Sequence, residues 1–128
     1  MFSVRFISLA ATLAISGAAL TAAPIASAKG GDPVRVRGVC TQHSTAKLKL
    51  SPEDSRIEIE FEVDQNRNGV PWRVTLRQNG ALVASTTQTT HAPSGSFTIR
   101  RVVSAAHGTV LAVATRANGE RCTVQASI

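Results

Sequence analysis

The chain has 128 residues, with 14 Lys+Arg against 8 Asp+Glu and a formal net charge of +6. That length is expected to hold one domain of ordinary size, with little room for a composite catalytic cleft between domains. The modest positive charge favours solubility and weak attraction to anionic polymers, such as cell-wall polymers or nucleic acid, without identifying either as a partner.

The N-terminal segment "MFSVRFISLAATLAISGAALTAAPIASAKGGD" has Arg5 ahead of an apolar run from Phe6 to about Ala23. Ala26 and Ala28 then form an A-x-A pattern before a polar stretch. This predicts a signal peptide over residues 1–28, cleaved after Ala28, and a secreted domain over 29–128. Ser8, Thr12, Ser16 and Gly17 dilute the run, which barely reaches the ~18 residues a membrane anchor needs. The protein is expected to be extracellular, with no membrane attachment after cleavage.

The mature region alternates apolar and polar residues almost throughout. "VRVRGVC" (34–40), "AKLKL" (46–50), "RIEIEFEVD" (56–64) and "WRVTLRQ" (72–78) all read as strands. "NG" at 79–80 signals a two-residue hairpin into "ALVASTTQTT". "SFTIRRVV" (96–103), "TVLAVATR" (109–116) and "RCTVQAS" (121–127) follow, the last two around a second "NG" at 118–119. Short strands with turn signals at this spacing predict an all-β fold, a sandwich or a barrel.

Two cysteines in an exported chain imply one disulfide, Cys40–Cys122, tying the first strand to the last. A metal or redox pair is disfavoured by the lack of C-x-x-C or a Cys/His cluster. A turn at 118–119 would pair Thr115 with Cys122, Val113 with Val124 and Leu111 with Ala126, all on the face that meets the core. Folding 56–64 back on 72–78 would pair Val63 with Trp72, Phe61 with Val74 and Ile59 with Leu76. Glu62 and Glu58 would then oppose Arg73 and Arg77 on a solvated face, making the acidic row a structural feature. Trp72 is expected in the core.

Candidate chemistry is sparse. Asp64, Asn66, Asn68 and Gly69 match the first half of an EF-hand loop, but Thr75 stands where its final Glu should be, and Arg67 adds a cation. His43, His91 and His107 have no zinc-ligand spacing, and there is no G-x-S-x-G. No metal site and no cofactor are expected. Arg100, Arg101, Arg116 and Arg121 could cluster as an anion-binding edge, but protection of a sheet edge against aggregation is the reading the pattern favours.

At "KLKLSPEDSRIEIEFEVDQNRNGVPWRVTLRQNG", "TTHAPSGSFTIRR" and the hairpin with Cys122, the chain resembles a group of small secreted actinobacterial proteins of unknown function. That resemblance implies an all-β, immunoglobulin-like β-sandwich of about seven or eight short antiparallel strands and an extracellular compartment, and no mechanism. The expectation is a monomeric, non-enzymatic binding or structural module with an unknown extracellular partner, an anionic polymer or a protein. The alternative is a secreted inhibitor of a hydrolase, whose mark would be an exposed, rigid loop at 65–71 or 88–95. "PWRV" at 71–74 is similar to a Trp-Arg inhibitory turn, although the alternation buries Trp72.

Overall fold

In the computed structural model, which describes residues 31–128, every regular element is a β-strand. The predicted signal peptide lies outside the described residues. Nine strands occur: β1 Val34–Arg37, β2 Val39–Cys40, β3 Thr45–Glu53, β4 Arg56–Asp64, β5 Pro71–Gln78, β6 Ala81–Thr89, β7 Ser96–Val103, β8 Thr109–Arg116 and β9 Arg121–Ser127. They form a four-stranded sheet, β1-β3-β4-β7, and a five-stranded sheet, β2-β9-β8-β5-β6, with all neighbours antiparallel. The chain changes sheet between β1 and β2, between β2 and β3, between β4 and β5, between β6 and β7 and between β7 and β8. That connectivity gives an immunoglobulin-like sandwich. The predicted first strand is in fact two. It divides at Gly38, where β1 in one sheet becomes β2 in the other, and this raises the count to nine.

The alternation places the core correctly. Ile57, Ile59, Phe61 and Val63 from β4 and Trp72, Val74 and Leu76 from β5 are all fully buried. Trp72 and Phe61 flank Phe97, each with ring centroids 6.4 Å from it. Side chains thus fill the space between the sheets.

The predicted pairing of 56–64 with 72–78 is wrong. β4 lies between β3 and β7, whereas β5 lies between β6 and β8 in the opposite sheet. Two tight turns decide this. Asp54 and Ser55 have φ of 44° and 64°, and Asn79 and Gly80 have φ of 48° and 83°. Positive φ at both central residues suits a two-residue turn whose twist matches the flanking strands. These turns join β3 to β4 and β5 to β6. Residues 65–70 instead cross the roughly 10 Å between the layers.

The last hairpin also differs from its predicted register. Arg116 N–H donates to Glu120 O over 3.1 Å, and Gly119 N–H to Arg116 O over 2.9 Å. The loop is therefore three residues long, with Gly119 at φ 89° in its left-handed position. Ala114 opposes Cys122 and Thr115 opposes Arg121. A one-residue slip exchanges the faces of a strand. Val110, Ala112 and Ala114 are buried, and Leu111, Val113 and Thr115, expected inside, take the outer side.

Cys40 and Cys122 form the expected disulfide. They are directly opposed residues on β2 and β9, Cα atoms 4.0 Å apart. The bond lies within the five-stranded sheet, and Cys122 is fully buried.

Candidate functional site

The acidic row occupies the outer face of the four-stranded sheet. Its partners are not Arg73 and Arg77. Glu62 opposes Lys47, and Glu60 lies between Lys49 and Arg100. Lys47 Nζ is 3.3 Å from Glu62 Oε1, and Arg100 Nε is 3.4 Å from Glu60 Oε2. The hydrogen bond and charge of Glu60 hold the Arg100 guanidinium pKa above its ordinary value. Such exposed pairs are screened by water and salt, so they favour pairing and register more than bulk stability.

Relocating β5 puts its arginines somewhere quite different. No Asp or Glu occurs in β2, β5, β6, β8 or β9. On the outer face of that sheet the register makes a grid. Arg73, Thr115 and Arg121 lie in one row across β5, β8 and β9; Thr75, Val113 and Thr123 in the next; Arg77, Leu111 and Gln125 in the third. These three arginines are exposed, and the side chains around Leu111 and Val113 line a shallow groove. Arg77 Nη1 donates to Gly80 O over 3.2 Å, tethering it at the turn. Val39, 75% exposed, and Leu82, 55% exposed, border the grid on β2 and β6. The face is thus cationic at three corners, aliphatic at its centre and rich in hydroxyls, with no carboxylate in its strands.

The four arginines predicted as one edge are divided. Arg100 and Arg101 are on β7, an edge of the four-stranded sheet, where Arg100 is engaged by Glu60. Arg121 belongs to the grid. Arg116 opposes Glu120 across the last turn and leaves the outer face.

Glu120 was not singled out by the sequence, yet it is the fully buried carboxylate of the domain's end. Its Oε1 accepts from Arg116 Nε at 2.9 Å and from Ser44 Oγ at 2.9 Å, and its Oε2 accepts from Ser44 N–H at 3.0 Å. Desolvation works to raise its pKa, but the Ser44 and Arg116 hydrogen bonds together outweigh it and the net shift is downward. The Arg116 guanidinium also lies 5.6 Å from the centre of the Trp72 ring. Trp72 Nε1 donates to Gln65 Oε1 over 3.1 Å, so the indole is satisfied and fixed. A signal existed in the sequence: Arg116 and Glu120 flank "ANG", and a three-residue loop puts them opposite each other.

His43, His91 and His107 lie in three separate loops. His43 does share a hollow with Ser44, Gln65 and Glu120. Ser44 Oγ donates directly to the carboxylate there, so the hydroxyl proton is held by Glu120 rather than by an imidazole. In the 64–69 loop, Asp64 Oδ1 accepts from Asn66 N–H over 3.0 Å, closing an Asx turn in which Asn66 has φ 63°. Among the described residues no group of three or more His, Cys, Asp or Glu is placed to hold a metal.

Two loops brace each other at the same end. Thr90 is buried, and its hydroxyl donates to Arg67 O and accepts from Val70 N–H. Gly69 N–H donates to Thr90 O over 2.6 Å, Thr90 N–H to Val70 O over 2.9 Å, and Gln65 N–H to Gly95 O over 3.0 Å. Gly95, at φ 69°, lies so near the Arg67 backbone that a Cβ would sit 2.2 Å from Arg67 N. Residues 66–69 and 91–94 remain exposed above this base.

No family model matches the chain, and no curated protein matches it. Among solved structures the chain is similar to chicken MD-1, crystallised in complex with lipid IVa. The identity is 13%, over 73% of this chain and 98% of that one, with a TM-score of 0.23. No ligand or site is transferred from it.

Proposed function

We propose that the protein is a secreted, non-enzymatic β-sandwich that binds an extracellular anionic partner through the outer face of its five-stranded sheet. The observation that carries this reading is the segregation of charge. Carboxylates and cations are interleaved on the four-stranded sheet, whereas Arg73, Arg77 and Arg121 stand on a sheet whose strands contain no Asp or Glu. Unneutralised guanidinium groups on one face attract anions and orient them toward it. Secretion is supported by the N-terminal sequence and by the disulfide, which suits an oxidising compartment. Among the described residues no helix is long and apolar enough to cross a membrane.

Retention on a heparin column tests this, with heparin as a model polyanion. Arg73→Gln/Arg77→Gln/Arg121→Gln is expected to elute at much lower salt than the parent. Lys47→Gln/Lys49→Gln/Arg100→Gln removes the same charge from the other sheet and is expected to elute near the parent. Equal losses would mean that net charge, not the face, governs retention, and the reading would fail.

The braced loops favour a second reading, inhibition of an extracellular hydrolase. Hydrogen bonds from Thr90 stiffen the 65–70 segment from beneath, so its exposed tip is presented in one shape, which lowers the ordering cost of docking. Trp72 takes no part, being fully buried; the contact would be made by Asn66, Arg67 and Asn68. A panel of secreted proteases and glycosidases is expected to contain a target whose inhibition Arg67→Ala weakens. Absence of inhibition at micromolar protein would dispose of this alternative.

A further inference from the structure

Resting on the anion-binding reading above, we propose that the ligand of the arginine face is a linear polyol-phosphate chain. The spacing of the charges comes first. Arg73 and Arg77 are four residues apart on β5, about 14 Å at roughly 3.4 Å per residue. Arg73 and Arg121 are separated by β8, with Thr115 between them, about 10 Å at two strand spacings. Side chains stand roughly perpendicular to a sheet. The three guanidinium groups therefore present separate docking points for a chain that carries several charges.

The ground between the arginines describes the rest of the chain. Leu111 and Val113 are aliphatic and only half buried. Thr75, Thr115 and Thr123 supply hydroxyls around them, and Gln125 an amide. Short methylene spacers would rest on Leu111 and Val113, their hydroxyls would exchange hydrogen bonds with the threonines, and phosphates would meet the arginines as charge-assisted pairs.

The same ground disfavours other polyanions. The strands of this sheet hold one aromatic residue, Trp72, and it points inward. Single-stranded nucleic acid would have no ring on which to stack its bases. An acidic peptide would lay its amides over Leu111 and Val113. The backbones of β5, β8 and β9 there are already committed to their ladders, so those amides would find few partners.

Titration calorimetry with glycerol-phosphate oligomers tests the proposal, with inorganic phosphate, oligothymidylate and oligoglutamate of matched charge as comparisons. Affinity is expected to rise at least about tenfold from the monomer to a chain that spans all three arginines, and then to level off. With three phosphate contacts, log K should fall against log salt with a slope of about −2, flattening by about 0.7 for each single Arg→Gln change. These positions are exposed, and an unchanged melting temperature verifies that each variant is folded. Inorganic phosphate binding as tightly as the oligomer would overturn the extended ligand. Oligothymidylate or oligoglutamate binding as tightly as the glycerol-phosphate chain would overturn the polyol assignment. Either result would leave anion binding at this face intact. Absence of binding by every anion would overturn both.

Discussion

Changing both Cys40 and Cys122 to alanine is expected to lower the unfolding free energy by about 4 kcal/mol. The two cysteines are 82 residues apart in sequence. In the chain-entropy model, a crosslink closing a loop of that size removes about 4.5 kcal/mol of conformational freedom from the unfolded chain. Loss of the buried sulfur contacts of Cys122 adds to the effect, and residual structure in the unfolded ensemble reduces it. For a domain of this size, 1 kcal/mol is roughly 4–8 °C in melting temperature, so the shift should exceed about 15 °C. Urea denaturation of the oxidised parent and the double variant measures the difference directly. A midpoint unchanged by the substitution would show that the bond contributes nothing to stability.

Glu120→Gln is expected to cost about 3 kcal/mol, because it removes the counter-charge of a largely buried guanidinium. Arg116 is only 19% exposed, and the Glu120 side chain is fully buried. Glu120→Ala should cost more, since the Ser44 N–H and hydroxyl would also lose their acceptor. The pH dependence follows from the direction of the shift. The folded-state pKa of Glu120 is lowered. Its ionisation therefore contributes stability that is fully present above the unfolded-state value of about 4.3 and is lost as pH falls through the lowered folded value. The parent should lose stability in acid more steeply than Glu120→Gln, and their denaturation midpoints should converge as the pH drops below 4. Parallel pH profiles for the two would remove Glu120 from this role.

The consequences of the network reach the rest of that end of the sandwich. Arg116 lies beside Trp72, and Trp72 is tied to Gln65 at the start of the crossing loop. The 65–70 loop is thus braced by Gln65 through the indole and by Thr90 through the neighbouring loop. Weakening Glu120 should loosen it without touching the arginine face, which lies on the outside of the sheet.

Which side of β4 and β5 meets the core was legible from the sequence alone; which side of β8 does so was not, because Leu111, Val113 and Thr115 alternate with residues just as apolar. Period two is a local property, and it put Ile57 through Val63 and Trp72 through Leu76 inside without reference to any neighbour. The all-β sandwich, the Asn79–Gly80 hairpin and the Cys40–Cys122 bond were legible for the same reason, being matters of alternation, turn chemistry and cysteine count. Which strand lies beside which was not. An alternating strand offers ladder groups on both edges, and nothing in "RIEIEFEVD" distinguishes β3 and β7 from β5 as partners. Complementary charge misled here, because Lys47, Lys49 and Arg100 suit the acidic row as well as Arg73 and Arg77 do. Loop length misled as well: residues 65–70 can close a hairpin or cross between sheets, and only packing of both layers selects the crossing. The arginine face depended on that choice. It exists because tertiary structure placed Arg73 and Arg77 opposite strands without carboxylates, and because one residue of register in the last hairpin turned Leu111 and Val113 outward between them. Alternation determined the faces where polar and apolar residues take turns, as in β4 and β5; the pairing of strands and its register, a balance of distant contacts that no short segment contains, decided the faces of β8 and which residues share each face.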